Sequence, residues 1–95
     1  MKVGIAGMGA VGMRVAQELN RGGTGGLQLA GFSARNAQRA AELNGQLTAA
    51  VPYHALTEIA HHCDLVIERL PPTRFNELAT SFLRVGKILV VLSAS

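Results

Sequence analysis

Residues 2–12 read KVGIAGMGAVG, and they contain the strongest indication of the fold in this chain. It opens with a short apolar run from Lys2 to Ala6 that stops at glycines, which predicts a first β-strand. Gly7, Gly9 and Gly12 then form the pattern G-x-G-x-x-G. The stretch therefore predicts a strand that turns tightly, through glycines, into the next element.

The residues after the glycine turn predict a helix and then a second strand. The apolar residues of one helix face in segment 10–20 are Val11, Val15, Ala16 and Leu19. The glycine-rich segment 20–26 ends that helix in a loose turn, and residues 27–32 predict the second strand. Residues 2–32 therefore predict a β-α-β unit, a recurring motif in which a helix connects two parallel strands.

Strands and helices continue to alternate along the rest of the chain. Asn36 can cap a helix that runs to about Leu43, and Pro52 places a weak strand over 48–53 at a sheet edge. A helix over 56–63, a strand at 65–67, a helix over 72–86 and a strand at 88–92 follow. This order predicts one domain over residues 1–95 with an α/β fold. We expect a doubly wound parallel sheet of the Rossmann type, five strands in the order 3-2-1-4-5, with helices on both faces.

Each glycine of the pattern has a physical role in binding a dinucleotide. We expect Gly7 to permit the tight turn, Gly9 to let a pyrophosphate approach the backbone, and Gly12 to let the helix pack closely on the first strand. Glycines also occur in turns for steric reasons alone, but the strand-turn-helix context favours NAD or NADP as cofactor. The residues expected to contact the cofactor here are Gly7, Met8, Gly9, Ala10, Val11 and Gly12.

The end of the second strand bears on the choice between NAD and NADP. An NAD-specific site usually has Asp or Glu here, bonded to the ribose 2′-hydroxyl, whereas this chain has Ser33, Ala34, Arg35 and Asn36. We expect Arg35 to pair with a 2′-phosphate, and Ser33 and Asn36 to form hydrogen bonds with it. In the alternative interpretation Arg35 is a solvated surface residue and Asn36 only caps a helix.

The ends of the fourth and fifth strands lie on the same rim in this topology. Leu70 follows the fourth strand and Ser93 the fifth, so we expect both to line the crevice in which the cofactor binds. Glu68 and Arg69 precede Leu70. They either pair with each other in solvent or lie near the nicotinamide half of the cofactor.

Composition argues against several other classes of protein. Apolar residues make up 48% of the chain and charged residues 16%, which argues against disorder. The net charge of +3 is spread out and aromatic residues make up only 4%, which does not favour nucleic acid as a partner. The chain has neither a signal-peptide pattern nor an apolar stretch long enough to span a membrane, so we expect a cytoplasmic protein without a membrane partner.

The segment His61-His62-Cys63-Asp64 has metal-ligating residue types at a spacing unsuited to a metal. Zinc sites use pairs of ligands two to four residues apart, whereas these four residues are adjacent and point in different directions. Cys63 continues an apolar stripe with Leu56 and Ile59, which predicts a structural role. No metal site is predicted.

Four segments of the chain resemble the N-terminal cofactor domain of the L-aspartate dehydrogenase family, within the broader homoserine-dehydrogenase-like group. They are VGIAGMGAVG at 3–12, GFSARN at 31–36, DLVIE at 64–68 and GKILVVLS at 86–93. The resemblance implies oxidation of L-aspartate to iminoaspartate with hydride transfer to NAD or NADP. The catalytic histidine of that family lies beyond position 95, so no catalytic residue is assigned.

Two other functions use the same scaffold. One is the cofactor domain of a homoserine-dehydrogenase-like enzyme, and the other is a nucleotide-sensing regulatory domain that is not an enzyme. Regulatory domains usually keep an acidic residue where this chain has Ser33, which favours the dehydrogenase. We expect the chain to be the inactive front part of a longer enzyme. The apolar run at 88–92, left at a sheet edge, predicts a homodimer.

Overall fold

The computed structural model of the protein describes residues 1–22, 25–70, 74, 78–79 and 87–91. Most of the helix predicted over 72–86, and the predicted site residue Ser93, lie outside these described residues. The elements are β1 Lys2–Ala6, α1 Ala10–Asn20, β2 Gln28–Ser33, α2 Ala37–Asn44, β3 Tyr53–His54, α3 Ile59–His62, β4 Leu65–Glu68 and β5 Ile88–Val91.

The sheet has the predicted topology. All five strands are parallel and lie in the order β3-β2-β1-β4-β5, with β1 in the centre. Val3 of β1 lies opposite Leu29 of β2 and Leu65 of β4. Because the strands are parallel, the carboxyl ends of β1, β2 and β4 meet at one edge of the sheet, and the glycine turn lies at that edge.

The two faces of the sheet carry separate hydrophobic cores. Val3 and Ile5 of β1 pack with Phe32 and with the buried residues of α1 and α2. Ala6 belongs to the other cluster, which contains Val66 and the buried residues of α3. The period-two alternation of a strand thus places helices on both faces, as expected.

The buried face of α1 differs from the predicted stripe. Val11 is 44% exposed, so its place in the stripe was wrong, whereas Met13 and Ala16 are buried. Gly12 is also buried, and it faces β1. Because the helix turns this glycine toward the sheet, Val11 lies on the outer side of the first turn.

The strand predicted over 48–53 was wrong in length, since β3 contains only Tyr53 and His54. Two asparagine side chains form hydrogen bonds with the backbone of residues 49–51, just before β3. Asn44 donates from Nδ2 to the Val51 carbonyl and accepts from the Val51 N–H, both at 2.9 Å. Asn20 makes the same pair of bonds with Ala49 at 3.0 and 2.8 Å. A side-chain amide carries a donor and an acceptor side by side, so it forms the two hydrogen bonds that the backbone of a neighbouring strand would otherwise form.

The third helix is also shorter than predicted. It forms a single turn, Ile59–His62, although Leu56, Ile59 and Cys63 are all buried as the stripe indicated. In the part of the chain that the structure describes, no helix combines the length and the apolar character needed to cross a membrane.

Candidate dinucleotide-binding site

Two glycines of the turn are required by the fold itself. Gly7 has a φ of +101°, in the left-handed region that favours glycine, and an added Cβ would meet the Arg69 carbonyl oxygen. An added Cβ on Gly12 would meet the carbonyl oxygen of Gly7. The tight turn and the close approach of α1 to β1 therefore exclude any side chain at both positions.

Gly9 has no such steric requirement. Its backbone is extended, with φ of −81° and ψ of −162°, and an added Cβ would meet nothing within 4 Å. The space in front of Gly9 is open, although neither the turn nor the packing needs a glycine there. This open space is what close approach of a phosphate to the backbone requires.

The first turn of α1 presents backbone N–H groups to that space. Gly9 is the N-cap residue and provides no side-chain acceptor, and the first turn contains no acidic residue. The N–H of Met13 donates to the Gly9 carbonyl at 2.8 Å, so the N–H groups of residues 10–12 precede the first helical bond. These groups carry partial positive charge and suit an anion.

The end of β2 is bonded directly to the glycine turn. Ser33 accepts a hydrogen bond from the Gly7 N–H on its Oγ at 3.2 Å. Asn36 is the N-cap of α2, where its Oδ1 accepts from the Arg39 N–H at 2.9 Å. The capping role considered for Asn36 is thus confirmed. In these two bonds Ser33 Oγ and Asn36 Oδ1 act as acceptors, and a hydroxyl or an amide group carries a donor besides its acceptor.

A cavity of about 840 Å³ joins the carboxyl ends of β1, β2 and β4. Ligand pockets commonly have volumes of about 300–1,000 Å³. The predicted site residues in its wall are Gly7, Met8, Gly9, Ser33, Ala34, Arg35, Asn36 and Leu70. Ala10 lines a smaller neighbouring cavity of about 400 Å³. Val11 and Gly12 line neither cavity, because Gly12 faces β1 and Val11 lies on the outer side of α1.

The contribution of α2 to the cavity wall was not predicted from the sequence. Gln38, Arg39 and Glu42 all line the cavity, as does Arg74 from beyond β4. Asn36 was recognised as a helix cap. Arg39 and Glu42 follow it at intervals of three residues, which places them on the same side of the helix as the cap. The predicted helix therefore already indicated that these two residues lie beside the end of β2.

Glu68 lies inside the protein. It is fully buried, which excludes the first of the two alternatives, a pair with Arg69 in solvent, while a place near the nicotinamide half of the cofactor stays a prediction. Its Oε2 accepts from the Leu70 N–H at 2.7 Å, and the Arg69 N–H donates to the Ala6 carbonyl at 2.8 Å. These two bonds fix the turn that places Leu70 in the cavity wall and the Arg69 carbonyl against Gly7.

The histidine-rich segment packs beside the sheet edge. The rings of His54 and His62 stack with centroids 3.9 Å apart and planes 5° from parallel. Burial, together with the neighbouring His62, lowers the pKa of His54. Burial raises the pKa of the Cys63 thiol. Among the described residues, no group of three or more His, Cys, Asp or Glu side chains is arranged to hold a metal ion.

The open approach to Gly9, at the rim where the ends of β1, β2 and β4 meet, defines the class of protein: a Rossmann-type dinucleotide-binding domain. The chain belongs to the family described as homoserine dehydrogenase, NAD binding domain, whose model matches residues 7–95. The predicted class of cofactor, NAD or NADP, is confirmed by this family.

The predicted resemblance to L-aspartate dehydrogenase is also confirmed. L-aspartate dehydrogenase 3 from Bordetella bronchiseptica is 34% identical over 91 residues, which are 96% of this chain and 34% of that protein. This chain therefore spans about a third of the length of that relative.

Solved structures share the fold. UDP-N-acetylglucosamine 3-dehydrogenase from Acidithiobacillus ferrooxidans is 25% identical with a TM-score of 0.74, over 96% of this chain and 28% of that one. Biliverdin reductase from Synechocystis sp. PCC 6803, in complex with biliverdin and NADP⁺, is 25% identical with a TM-score of 0.75, over 95% of this chain and 28% of that one.

Proposed function

We propose that this chain holds NAD or NADP with the pyrophosphate over Gly9 and against the first turn of α1. The observation that carries the proposal is the open space at Gly9, below N–H groups that lack a side-chain cap. The other two glycines of the turn are explained by packing alone, whereas Gly9 is explained by the approach of a ligand.

The cavity gives the bound cofactor a direction. Its wall beside β2 contains Ser33, Arg35 and Asn36, and we place the adenosine half of the cofactor there. Leu70 lies at the carboxyl end of β4, on the other side of β1, and we place the nicotinamide half toward it. The bond from the Leu70 N–H to buried Glu68 holds this wall in position.

For the whole protein we propose oxidation of L-aspartate to iminoaspartate. The identity of 34% to an L-aspartate dehydrogenase, over nearly all of this chain, supports this substrate. The bound cofactor supplies the hydride acceptor. The residues of this chain bind and orient the cofactor. We expect the groups that bind the amino acid to lie in the remaining part of such a protein.

The test is an assay of NADPH and NADH formation with L-aspartate, and with L-homoserine as the control substrate. We expect the full-length protein to oxidise aspartate in preference to homoserine, and residues 1–95 alone to produce no reduced cofactor. Preferential oxidation of homoserine would move the protein to the homoserine-dehydrogenase-like alternative. Cofactor binding without oxidation of either amino acid would support a regulatory domain.

We also propose that the protein is a cytoplasmic homodimer. β5 lies at one end of the sheet, and Ile88, Val90 and Val91 are between 37% and 53% exposed. Apolar side chains on an edge strand favour association, most simply about a two-fold axis. The chain has a single, buried cysteine, Cys63, so it forms no internal disulfide, which agrees with a reducing compartment.

A further inference from the structure

Two histidines stack beside the cofactor cavity. His54 of β3 and His62 of α3 lie with ring centroids 3.9 Å apart and planes 5° from parallel. The His54 ring also lies against β2, where an added Cβ on Gly31 would come within 3.1 Å of its Cδ2. Glycine at this position leaves the space that the ring occupies, so the stack is part of the packing between β2, β3 and α3.

His54 connects this stack to the wall of the cavity in two ways. The next two residues along the chain, Ala55 and Leu56, line the cavity themselves. His54 also lies opposite Ser33 in the pairing of β2 with β3, and Ser33 lines the cavity and accepts from the Gly7 N–H. A shift of His54 would therefore move the part of the wall beside which we place the adenosine half of the cofactor.

The charge of the stack depends on pH. Among the described residues, the titratable groups that act on His54 are His62, its stacking partner, and Glu58, just before α3, while β2 presents the uncharged Gly31. Burial and the neighbouring His62 lower the pKa of His54, and Glu58 acts in the opposite direction. Two protonated imidazoles stacked in this way would repel each other, and burial adds a cost for the charged form of His54. Acid therefore disfavours the stacked arrangement.

We propose that His54 is a positioning residue for the cofactor: its stack on His62 holds the cavity wall that follows β3, and a proton taken up by the stack weakens cofactor binding. This inference rests on the proposed function, with the adenosine half of the cofactor beside β2. Binding of the cofactor and of the proton are then linked reciprocally, so a bound cofactor should also make the stack harder to protonate. Cofactor affinity therefore responds to pH in the range in which histidines titrate.

The test measures the dissociation constant of NAD by titration calorimetry on the full-length protein between about pH 7.5 and 5.5. NAD is the probe because it lacks the 2′-phosphate of NADP, a phosphate monoester that titrates near about pH 6 and would add its own pH dependence. His54→Phe keeps a flat ring and removes the titrating group, whereas His54→Ala removes the stack as well. The matched control is His61→Gln, which removes an exposed histidine next to the stack but outside it.

We expect the wild-type dissociation constant for NAD to rise by about threefold to tenfold as the pH falls over this range, and that of His61→Gln to rise equally. In His54→Phe the rise should be less than about twofold, because the ring at this position no longer takes up a proton. His54→Ala should bind NAD more weakly than His54→Phe throughout the range. Nuclear magnetic resonance of the histidine rings gives a second measurement on the wild type: saturating NAD should move the titration of His54 to lower pH.

A wild-type affinity for NAD that does not change with pH would overturn the inference, and so would equal changes in wild type and His54→Phe. A His54 titration that is the same with and without NAD would overturn it as well. In each of these cases NAD binds, so the proposed function would survive. If the wild type bound neither NAD nor NADP at any pH in this range, the proposed function itself would fail.

Discussion

The carboxylate of Glu68 is buried at the carboxyl end of β4, opposite Ala6 of β1 and Val91 of β5. Its bond to the Leu70 N–H closes the turn against which Gly7 packs. A charged side chain is rarely fully buried without such partners. One residue thus connects the central strands to the wall of the cavity.

Two replacements of Glu68 by side chains of similar size test its role as a hydrogen-bond acceptor. Glu68→Gln keeps an acceptor for the Leu70 N–H and should be the milder change. Glu68→Leu leaves that buried N–H unsatisfied and should lower the free energy of unfolding by about 1–3 kcal/mol more than Glu68→Gln does. Chemical denaturation measures both values. A leucine variant as stable as the glutamine variant would show that this hydrogen bond does not hold the turn.

Single residues were predictable where a local rule decides them. A serine, Ser33, instead of an acidic residue at the end of β2 is read directly from the sequence. The cap at Asn36 follows from its residue type and its place just before α2. The burial of Glu68 was not predictable, since the adjacent Glu68 and Arg69 resemble an exposed ion pair. Only the packing of both sheet faces around β4 shows that the carboxylate points inward.

At the scale of elements, the edge strand β3 is held by side chains more than by strand pairing. Its two residues pair with Phe32 and Ser33 of β2, and His54 stacks on His62 of α3. Ser33, the β2 residue opposite His54, in turn accepts from the Gly7 N–H, so β2 connects β3 to the glycine turn. The length of β3 was mispredicted because the bonds from Asn20 and Asn44 to residues 49–51 are not local in sequence.

Acid should loosen this contact. The pKa of His54 is lowered from 6.5 by burial and by His62, while Glu58 acts in the opposite direction. The unfolded chain therefore binds more protons than the folded one below about pH 6.5, and this part of the stability is lost as the pH falls from 6.5 through the lower pKa of folded His54. Thermal melts between about pH 7.5 and 5.5 should show a smaller loss for His54→Phe than for wild type.

The exposed neighbour His61 provides the control for that measurement. His61→Gln should lose stability on acidification as the wild type does, because His61 is not part of the stacked pair. If His54→Phe and wild type lost the same stability, titration of His54 would not contribute to the packing of β3.

At the scale of the whole molecule, the strand order was predictable because two general rules suffice. Alternating strands and helices indicate a parallel sheet, and right-handed crossovers, together with the glycine turn after the first strand, then favour the order 3-2-1-4-5. The same order leaves β5 at an edge, with Val90 37% exposed, and that edge is where we expect the second subunit.

A charge on that edge should weaken association. Val90→Lys places an ammonium group on the apolar edge and should shift the mass measured by light scattering from dimer toward monomer. Tyr53→Lys is the control, because Tyr53 is similarly exposed, at 40%, on the opposite edge. A wild-type protein that is monomeric at all concentrations would contradict the proposed dimer.

Binding of the cofactor at the glycine turn is tested by titrating NADP and NAD into the wild type and into Gly9→Val. An added Cβ would meet nothing within 4 Å, so the variant should fold, with only the small loss of stability expected for valine in place of glycine at an N-cap. Its affinity for both cofactors should fall by about a hundredfold or more, because the side chain fills the approach to the backbone. Gly12→Val, whose Cβ would meet the Gly7 carbonyl, should instead destabilise the fold. Unchanged affinity in a folded Gly9→Val protein would show that the cofactor does not bind at the glycine turn.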